Sequence, residues 1–245
     1  MSETRLLITL CTYNELENLE RLIPALHEVA ADADILVIDD NSPDGTGDLA
    51  DTMAAADPRV RVLHRASKQG LGTAILAGFR EAILLGYDHL INLDADFSHH
   101  PRYLPALREL MDSVDVGIGS RYVQGGGVVG WNWRRHLMSR GINFYARLLL
   151  GLPSRDNSGS FRCYRVARLA ELDLDRFRAR GYAFQEEILY RCRRIGCRFA
   201  ETPIIFEDRR FGESKISWKE SAAAIWVLFR LAIDRLFRVR VRRRD

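Results

Sequence analysis

Apolar and polar positions in the first half of the chain follow two alternating patterns. Short apolar runs at 5–12, 34–40, 60–64 and 89–94 have the length and composition of buried strands. The segments between them repeat apolar residues every three or four positions, which is the spacing of an amphipathic helix. Strands separated by helices of this length are typical of a mostly parallel, Rossmann-like sheet with helices on both faces. The pattern therefore predicts an α/β protein.

The remaining segments continue this alternation, with one interruption. Three glycines at 125–127 break the rhythm, and residues 128–135 show no clear period, so we expect a loop there. The pattern predicts helices at 14–31, 72–85, 101–111, 133–150, 182–195 and 217–237, with another ending near residue 55. It predicts further sheet segments at 115–121, 155–164 and 198–206.

Length and composition favour one domain. The chain has 245 residues and 47% hydrophobic content, enough for one substantial core. A net charge of only +3 indicates no general affinity for polyanions, so we expect no nucleic-acid partner. The four cysteines form no CxxC pair and are expected to be reduced and mostly buried. The apolar run at 222–229 falls short of the ~20 residues that cross a bilayer, and no signal peptide is evident.

Polar side chains gather where three of the predicted strands end. Asp94 and Asp96 follow the fourth strand, and their spacing points both side chains the same way on an extended backbone. Asp39 and Asp40 close the second strand, and Tyr13 follows the first. The carboxyl edge of a parallel sheet is where ligands bind. Two neighbouring carboxylates favour a hard divalent cation, Mg²⁺ or Mn²⁺, which also binds phosphate oxygens. This edge could thus hold a nucleotide.

Plainer interpretations exist for the same residues. An Asp-x-Asp pair also occurs in solvated loops that cap a helix, and residues 39–41 could serve as turn caps. Other nucleotide folds fit less well, because the first strand is followed by CTYNE rather than GxGxxG, and no GxxxxGK[ST] is present. His99 and His100 are adjacent, so we expect one to cap or pack and the other to face solvent.

Several motifs, in order and at matching spacing, give the chain a family resemblance. They are CTYNExENL from residue 11, VIDDNSPDGT from residue 37, LDADFSHHP from residue 93, GSRY from residue 119, SGSFRCYR from residue 158, and the FGESK core of residues 209–215. Together they resemble the dolichol-phosphate (polyprenol-phosphate) mannose synthases of glycosyltransferase family 2. Two departures are Cys11 in place of proline and Ser98 in place of a glutamine that binds metal in some members.

The resemblance implies a GT-A fold and a donor, GDP-mannose. It implies a catalytic domain at 1–220, followed by an amphipathic, basic helix and tail at 221–245. The implied donor-binding residues are Tyr13, Glu15, Asp39, Asp40, Asp94, Ala95, Arg209 and Lys215. Asp94, Asp96 and Ser98 would hold Mg²⁺ or Mn²⁺, and the catalytic residues would be Asp96, Arg121 and Arg135.

The implied acceptor is a polyprenyl or dolichyl phosphate, held by Arg121, Arg135 and Ser139. Transfer would invert the anomeric carbon. Arg135 and the charged loop at 207–215 could instead be ordinary solvated surface. Two other functions remain open: transfer of glucose from UDP-glucose to the same kind of lipid, and non-catalytic binding of a nucleotide sugar.

The C-terminal segment bears on how a lipid acceptor is reached. Apolar residues recur at helical spacing between 217 and 237, and five arginines follow from Arg238. The helix could pack on the sheet, lie on a bilayer surface, or do both along its length. We therefore expect a cytoplasmic protein, peripheral on the cytoplasmic face of a membrane, with a membrane-protein partner as the alternative means of attachment.

Overall fold

The strands form one large sheet and one small one. A computed structural model describes residues 4–208 and 218–236 of the chain. The strands are β1 Leu6–Thr12, β2 Asp34–Asp39, β3 Val60–His64, β4 His89–Asp94, β5 Val116–Ser120, β6 Gly127–Val129, β7 Arg162–Arg165, β8 Phe199–Pro203 and β9 Ile205–Glu207. The seven-stranded sheet has the order β3-β2-β1-β4-β7-β5-β8, and β6 pairs with β9 in a separate two-stranded sheet.

The large sheet is mostly parallel, which confirms the predicted architecture. β3, β2, β1 and β4 are successive parallel neighbours, and β5 pairs in parallel with β8. β7 lies between β4 and β5 and runs antiparallel to both. This arrangement brings the carboxyl ends of β2, β1 and β4 side by side, as the sequence predicted.

Helices cover both faces of this sheet. They are α1 Leu16–Val29, α2 Thr46–Ala56, α3 Leu71–Leu84, α4 Leu104–Glu109, α5 Trp133–Leu150, α6 Val166–Ala170, α7 Phe184–Arg194 and α8 Trp218–Leu236. Successive side chains of β1 point to opposite faces of the sheet. Leu6, Ile8 and Leu10 pack in a core with α1, α2 and α4. Leu7 packs on the other face, in a second core with α3 and α5–α8. Each face buries a continuous apolar layer, as a parallel sheet requires.

Three predicted segments are more broken than expected. Only residues 162–165 of the predicted sheet segment 155–164 form a strand. The expected strand at 198–206 is split, because β8 pairs with β5 and β9 pairs with β6. The expected helix at 101–111 is the short α4 with a 3₁₀ turn on either side. Residues 127–129, expected in a loop, form the short strand β6.

The last helix packs on the domain. Leu228 and Leu231 of α8 are buried in the second core, and Arg235 Nη1 donates to the carbonyl oxygens of Leu148 and Leu149 at the end of α5 (3.0 and 2.8 Å). None of the helices in the described ranges is long and apolar enough to span a bilayer. The basic tail predicted from Arg238 lies outside the described residues. All four cysteines are free thiols, as predicted.

Candidate active site

The candidate site begins where β1, β2 and β4 end. Each strand is followed by one residue other than glycine in the left-handed backbone region: Asn14 (φ 59°), Asn41 (φ 58°) and Phe97 (φ 60°). Such conformations are uncommon for residues with a side chain, and they concentrate at functional sites. The three sharp turns direct the polar side chains that follow the strands into one cleft.

The cleft has a volume of about 170 Å³ and brings together most of the predicted donor residues. Those that line it are Tyr13, Glu15, Asp40, Asp94 and Ala95, and Asp96, predicted as a catalytic residue and metal ligand, lines it as well. The lining also includes residues that the sequence did not single out for this role: Lys68, Gly70 and Tyr182. Arg209 and Lys215, also predicted to bind the donor, lie outside the described residues.

Asp39 is not among the residues that line the cleft. Its Oδ1 accepts hydrogen bonds from the hydroxyls of Thr12 (3.0 Å) and Ser42 (2.5 Å), and its Oδ2 accepts one from the backbone N–H of Ser42 (3.0 Å). The side chain is buried. Asp39 therefore joins the ends of β1 and β2 and fixes the turn that carries Asp40.

Asp40 and Tyr13 each meet a cation at the cleft. Arg65 Nη1 donates to Asp40 Oδ1 (2.6 Å). Burial raises the pKa of Asp40, and the neighbouring Arg65 opposes this shift. Lys68 Nζ lies 4.1 Å from the ring centroid of Tyr13. This end of the cleft thus offers a carboxylate, an aromatic face and a lysine, which are suitable groups for a nucleoside with its phosphates.

The paired carboxylates of Asp94 and Asp96 also line the cleft. Asp94 is about one-third exposed, while Asp96 is buried and Oδ1 accepts from both the backbone N–H (3.0 Å) and the hydroxyl (2.5 Å) of Ser98. Ser98, predicted as a metal ligand, does not line the cleft and instead orients Asp96. His99 lies behind Asp94, with 3.7 Å between Nδ1 and Oδ2, and burial lowers its pKa. The packing of one histidine was predicted, but His100, expected to face solvent, is half-buried and caps the following turn, since its Nδ1 accepts from the N–H of Arg102.

These carboxylates fit a divalent cation. In the described ranges, no group of three or more histidine, cysteine, aspartate or glutamate side chains could hold a metal by itself. Mg²⁺ and Mn²⁺ do not need such a group, because they are commonly held by one or two carboxylates with substrate phosphates and water. Asp94 and Asp96 supply two adjacent oxygen donors of that kind.

Arg121 is held rigidly by Asp156. Its Nε and Nη2 donate to the two Asp156 oxygens at 2.7 Å each, its backbone N–H donates at 3.0 Å, and Nη2 also donates to Ser158 Oγ (2.9 Å). Both side chains are buried. Burial alone would raise the pKa of Asp156, but the adjacent Arg121 holds it below its ordinary value. This partner of Arg121 was not predicted.

The other two predicted acceptor residues lie on α5. Arg135 Nη1 donates to both oxygens of Asp208 (3.0 and 2.9 Å), and its guanidinium lies 4.2 Å from the ring centroid of Trp131. Ser139 Oγ is hydrogen bonded to the hydroxyl of Tyr122 (2.6 Å), the residue after Arg121.

A block of aromatic rings connects the carboxylates to these arginines. His99 stacks on Phe161 (5.4 Å between centroids) and meets the edge of Phe206 (5.3 Å), which in turn meets Trp131 (5.4 Å). Arg121 lies over both Phe206 (5.5 Å) and Trp131 (5.6 Å). The carboxylates that line the cleft and the guanidinium group of Arg121 are therefore connected by one packed block of side chains.

Comparisons with known proteins identify the family of the chain. The profile described as Glycosyl transferase family 2 matches residues 7–172, well over half of the chain. An undecaprenyl-phosphate mannosyltransferase of Micrococcus luteus is 46% identical over 213 residues, covering 87% of this chain and 88% of that protein. A polyprenol monophosphomannose synthase of Mycolicibacterium smegmatis is also 46% identical, over 215 residues covering 87% of this chain and 81% of that protein.

Solved structures agree on the fold. Glucosyl-3-phosphoglycerate synthase from Mycobacterium tuberculosis, in complex with phosphoglyceric acid, superposes with a TM-score of 0.63 at 16% identity, covering 95% of this chain and 80% of that one. A complex of the same enzyme with Mn²⁺, uridine diphosphate and glucosyl-3-phosphoglycerate gives 0.62 at 16% identity, with the same coverage of both chains. The superposition agrees with the GT-A fold expected from the sequence. The chain therefore belongs to glycosyl transferase family 2, and it resembles that family's polyprenyl-phosphate mannosyltransferases.

Proposed function

We propose that this glycosyltransferase moves mannose from GDP-mannose to a polyprenyl phosphate, with inversion at the anomeric carbon. The observation that carries the proposal is the cleft in which Asp94 and Asp96 meet the nucleoside-binding groups, joined through the aromatic block to Arg121. Both relatives are named as enzymes that attach mannose to a polyprenyl phosphate, and this supports the choice of sugar and acceptor.

The nucleoside would occupy the end of the cleft formed by Tyr13, Glu15 and Asp40. Carboxylates there can accept from the base and ribose, and Tyr13 offers a face for stacking. Lys68, together with Arg209 and Lys215 of the charged segment at 207–215, would neutralise the diphosphate. Asp39 would act indirectly, by fixing the turn before Asp40.

Asp94 and Asp96 would hold Mg²⁺ or Mn²⁺ beside the diphosphate. When bound, the cation supplies charge neutralisation to the departing diphosphate. Ser98 would fix the orientation of Asp96, and the neutral His99 would pack behind Asp94.

The reaction needs no strong base in this arrangement. An anionic oxygen of the polyprenyl phosphate forms the new bond to the anomeric carbon, while the bond from that carbon to the diphosphate breaks and GDP leaves with the electron pair. Arg121, with Arg135 and Ser139, would position the acceptor phosphate. The work of the residues is therefore positioning and charge stabilisation.

An apolar surface supports peripheral attachment to a membrane. Exposed apolar side chains follow one side of α5: Trp133 (69%), Leu137 (65%), Phe144 (67%) and Leu148 (65%). Trp226 and Phe229 of the adjoining α8 are also exposed. We name these six residues the apolar surface. An apolar strip with flanking arginines is typical of segments that lie in a bilayer interface.

The proposed chemistry is tested by removing its metal site. Purified protein, GDP-mannose, Mg²⁺ or Mn²⁺ and polyprenyl phosphate should yield a lipid that has gained one hexose, detected by mass spectrometry. Asp96→Asn should keep the fold and reduce product by about a hundredfold or more, and EDTA should do the same to the wild type. Full turnover in EDTA would overturn the metal assignment.

A further inference from the structure

A second cavity, with a volume of about 300 Å³, lies beside the acceptor residues. Its walls come from the loop that follows β5, from one side of α5, and from the loop after α5. The charged residues that line it are Arg121, Arg140, Arg147 and Arg155. Beyond Arg121, none of these arginines entered the predicted site.

The charge in this cavity is unbalanced. Arg121 is neutralised by Asp156, but the guanidinium groups of Arg140, Arg147 and Arg155 have no carboxylate partner within the described part of the chain. The backbone N–H of Arg155, by contrast, donates to a carboxylate oxygen, Glu201 Oε2 (2.8 Å). No acidic side chain is among the described residues that line the cavity. Three guanidinium groups around one cavity repel one another unless an anion lies between them. Guanidinium groups are also the preferred partners of phosphate oxygens.

The surroundings of the cavity suit an anion that carries an apolar chain. Arg140 and Arg147 are seven residues apart, two helical turns, and so lie on one side of α5. Phe144 also lines the cavity and is two-thirds exposed. It belongs to the apolar surface, which continues along α5 through Leu137 and Leu148. A soluble phosphate has no apolar chain to contact Phe144, Leu137 and Leu148.

The cavity also adjoins the acceptor residues implied by the resemblance. Tyr122 lines it and bonds to Ser139. Asn143 lines it as well, and its Nδ2 donates to Ser158 Oγ (2.9 Å), which also accepts from Arg121. A phosphate in the cavity would therefore lie next to the groups proposed to position the acceptor.

We propose that Arg140, Arg147 and Arg155 bind the terminal phosphate of the polyprenyl phosphate and hold it next to Arg121. This inference rests on the proposed function, since it names further residues for the same acceptor. A terminal phosphomonoester fits better than a phospholipid head group because it presents three unsubstituted oxygens to the three guanidinium groups. A phosphodiester presents two and carries a second substituent that would enter the cavity first.

Vesicle flotation tests the site directly. Phosphatidylcholine vesicles would carry either polyprenyl phosphate or phosphatidylglycerol at the same surface charge. The Arg140→Gln/Arg147→Gln variant should bind the polyprenyl phosphate vesicles about ten- to a hundredfold more weakly than wild type. A matched control, Arg21→Gln/Arg61→Gln, removes two exposed arginines that have no carboxylate partner in the described ranges, on α1 and β3. It should bind as wild type does, and circular dichroism should show all three proteins folded.

Two results would overturn the proposal: equal loss of binding in the control variant, or equally tight binding of wild type to the phosphatidylglycerol vesicles.

Steady-state kinetics distinguish a failure of this site from a failure of the proposed function. The Arg140/Arg147 variant should raise the KM for polyprenyl phosphate and leave the affinity for GDP-mannose unchanged. Mannose transfer with an unchanged acceptor KM would overturn the site alone. Arginine-dependent lipid binding without mannose transfer would overturn the function alone.

Discussion

At the residue scale, the buried ion pair of Arg121 and Asp156 is held by several hydrogen bonds. The pair is bidentate, both side chains are buried, and Asp156 also accepts from the N–H of Gly159 (3.1 Å). A pair of this kind is hard to infer from sequence, because its members lie 35 residues apart in segments of different structure. The GSRY motif identified Arg121, but nothing local marked Asp156 as its partner.

Removing the carboxylate should leave a buried cation without a partner. We expect Asp156→Ala to lower the free energy of unfolding by about 3–5 kcal/mol. The matched control is Asp175→Ala, which breaks a surface pair with Arg80 in which Asp175 is 84% exposed. That change should cost less than about 1 kcal/mol. Urea denaturation of the three proteins measures both values, and similar losses in the two variants would contradict the assigned role.

Glu186 provides a test of pH dependence. It is fully buried in the first turn of α7, and Oε2 has no hydrogen-bond partner among the described residues. Burial raises its pKa from the ordinary 4.5 to about 7. Between these values the folded state holds a proton that the unfolded state has lost. The contribution of this group to the free energy of unfolding is therefore fully present below pH 4.5 and is lost as the pH rises through about 7.

Glu186→Gln should remove that dependence. Relative to wild type, the variant should gain on the order of 3 kcal/mol of unfolding free energy between pH 4.5 and pH 8. Glu109→Gln, at an exposed position, should show no such trend. Urea denaturation at several pH values checks this, and parallel stability curves for wild type and Glu186→Gln would contradict it.

At the scale of elements, strand and helix positions were predictable where a segment has its own period. The four strands from β1 to β4 and helix α5 lie close to their predicted bounds, because their apolar positions alone specify a buried face. The segments that were predicted wrongly pair with strands that lie far away in the sequence. Residues 198–206 look like one strand, but they change sheets at Ile204, whose N–H donates to Ser120 and whose carbonyl accepts from Gly127. β6 has only three residues and depends on β9.

The start of α3 shows how closely elements approach at the cleft. A Cβ on Gly72 would lie 2.8 Å from the carbonyl oxygen of Ala179 and 2.8 Å from Phe184 Cβ. This contact seats the segment that carries Tyr182 into the cleft. The sequence could not predict this approach, because Ala179 and Phe184 lie far from Gly72 along the chain.

Gly72→Ala should force α3 away from that segment. We expect a loss of about 1–3 kcal/mol in unfolding free energy and weaker donor binding in calorimetry. Gly141→Ala is the control, since a Cβ there meets nothing within 4 Å and alanine favours a helix interior by up to about 1 kcal/mol. Equal stability and equal donor affinity in the two variants would show that the approach of α3 is not required.

At the scale of the whole molecule, the apolar surface decides how the protein meets a lipid. The sequence directed attention to the last helix, yet α8 buries Leu228 and Leu231 against the domain while it exposes Trp226 and Phe229. An exposed apolar strip also lies on α5, where it could not be predicted. A helix period shows which residues share a face, but it does not show whether another element covers them.

A single charge on this surface should weaken membrane attachment. Leu137→Glu is expected to lower binding to anionic vesicles by about tenfold, because it places a carboxylate in the interface and removes an apolar contact. Leu84→Glu, at an exposed leucine of α3, adds the same charge elsewhere and should bind as wild type does. A protein truncated after Phe237 lacks the arginines from Arg238 onward and so tests the contribution of the basic tail to vesicle binding separately. Wild-type binding by Leu137→Glu would contradict a bilayer-facing α5.

The central claim is the identity of the transferred sugar and its acceptor, and one assay tests it most directly. Purified protein and polyprenyl phosphate in detergent, with Mg²⁺ or Mn²⁺, would be supplied in parallel with labelled GDP-mannose or labelled UDP-glucose, and label in the lipid extract would be measured. We predict labelled lipid from GDP-mannose, with a kcat/KM at least about a hundredfold above that for UDP-glucose. Labelled lipid from UDP-glucose alone would contradict the account.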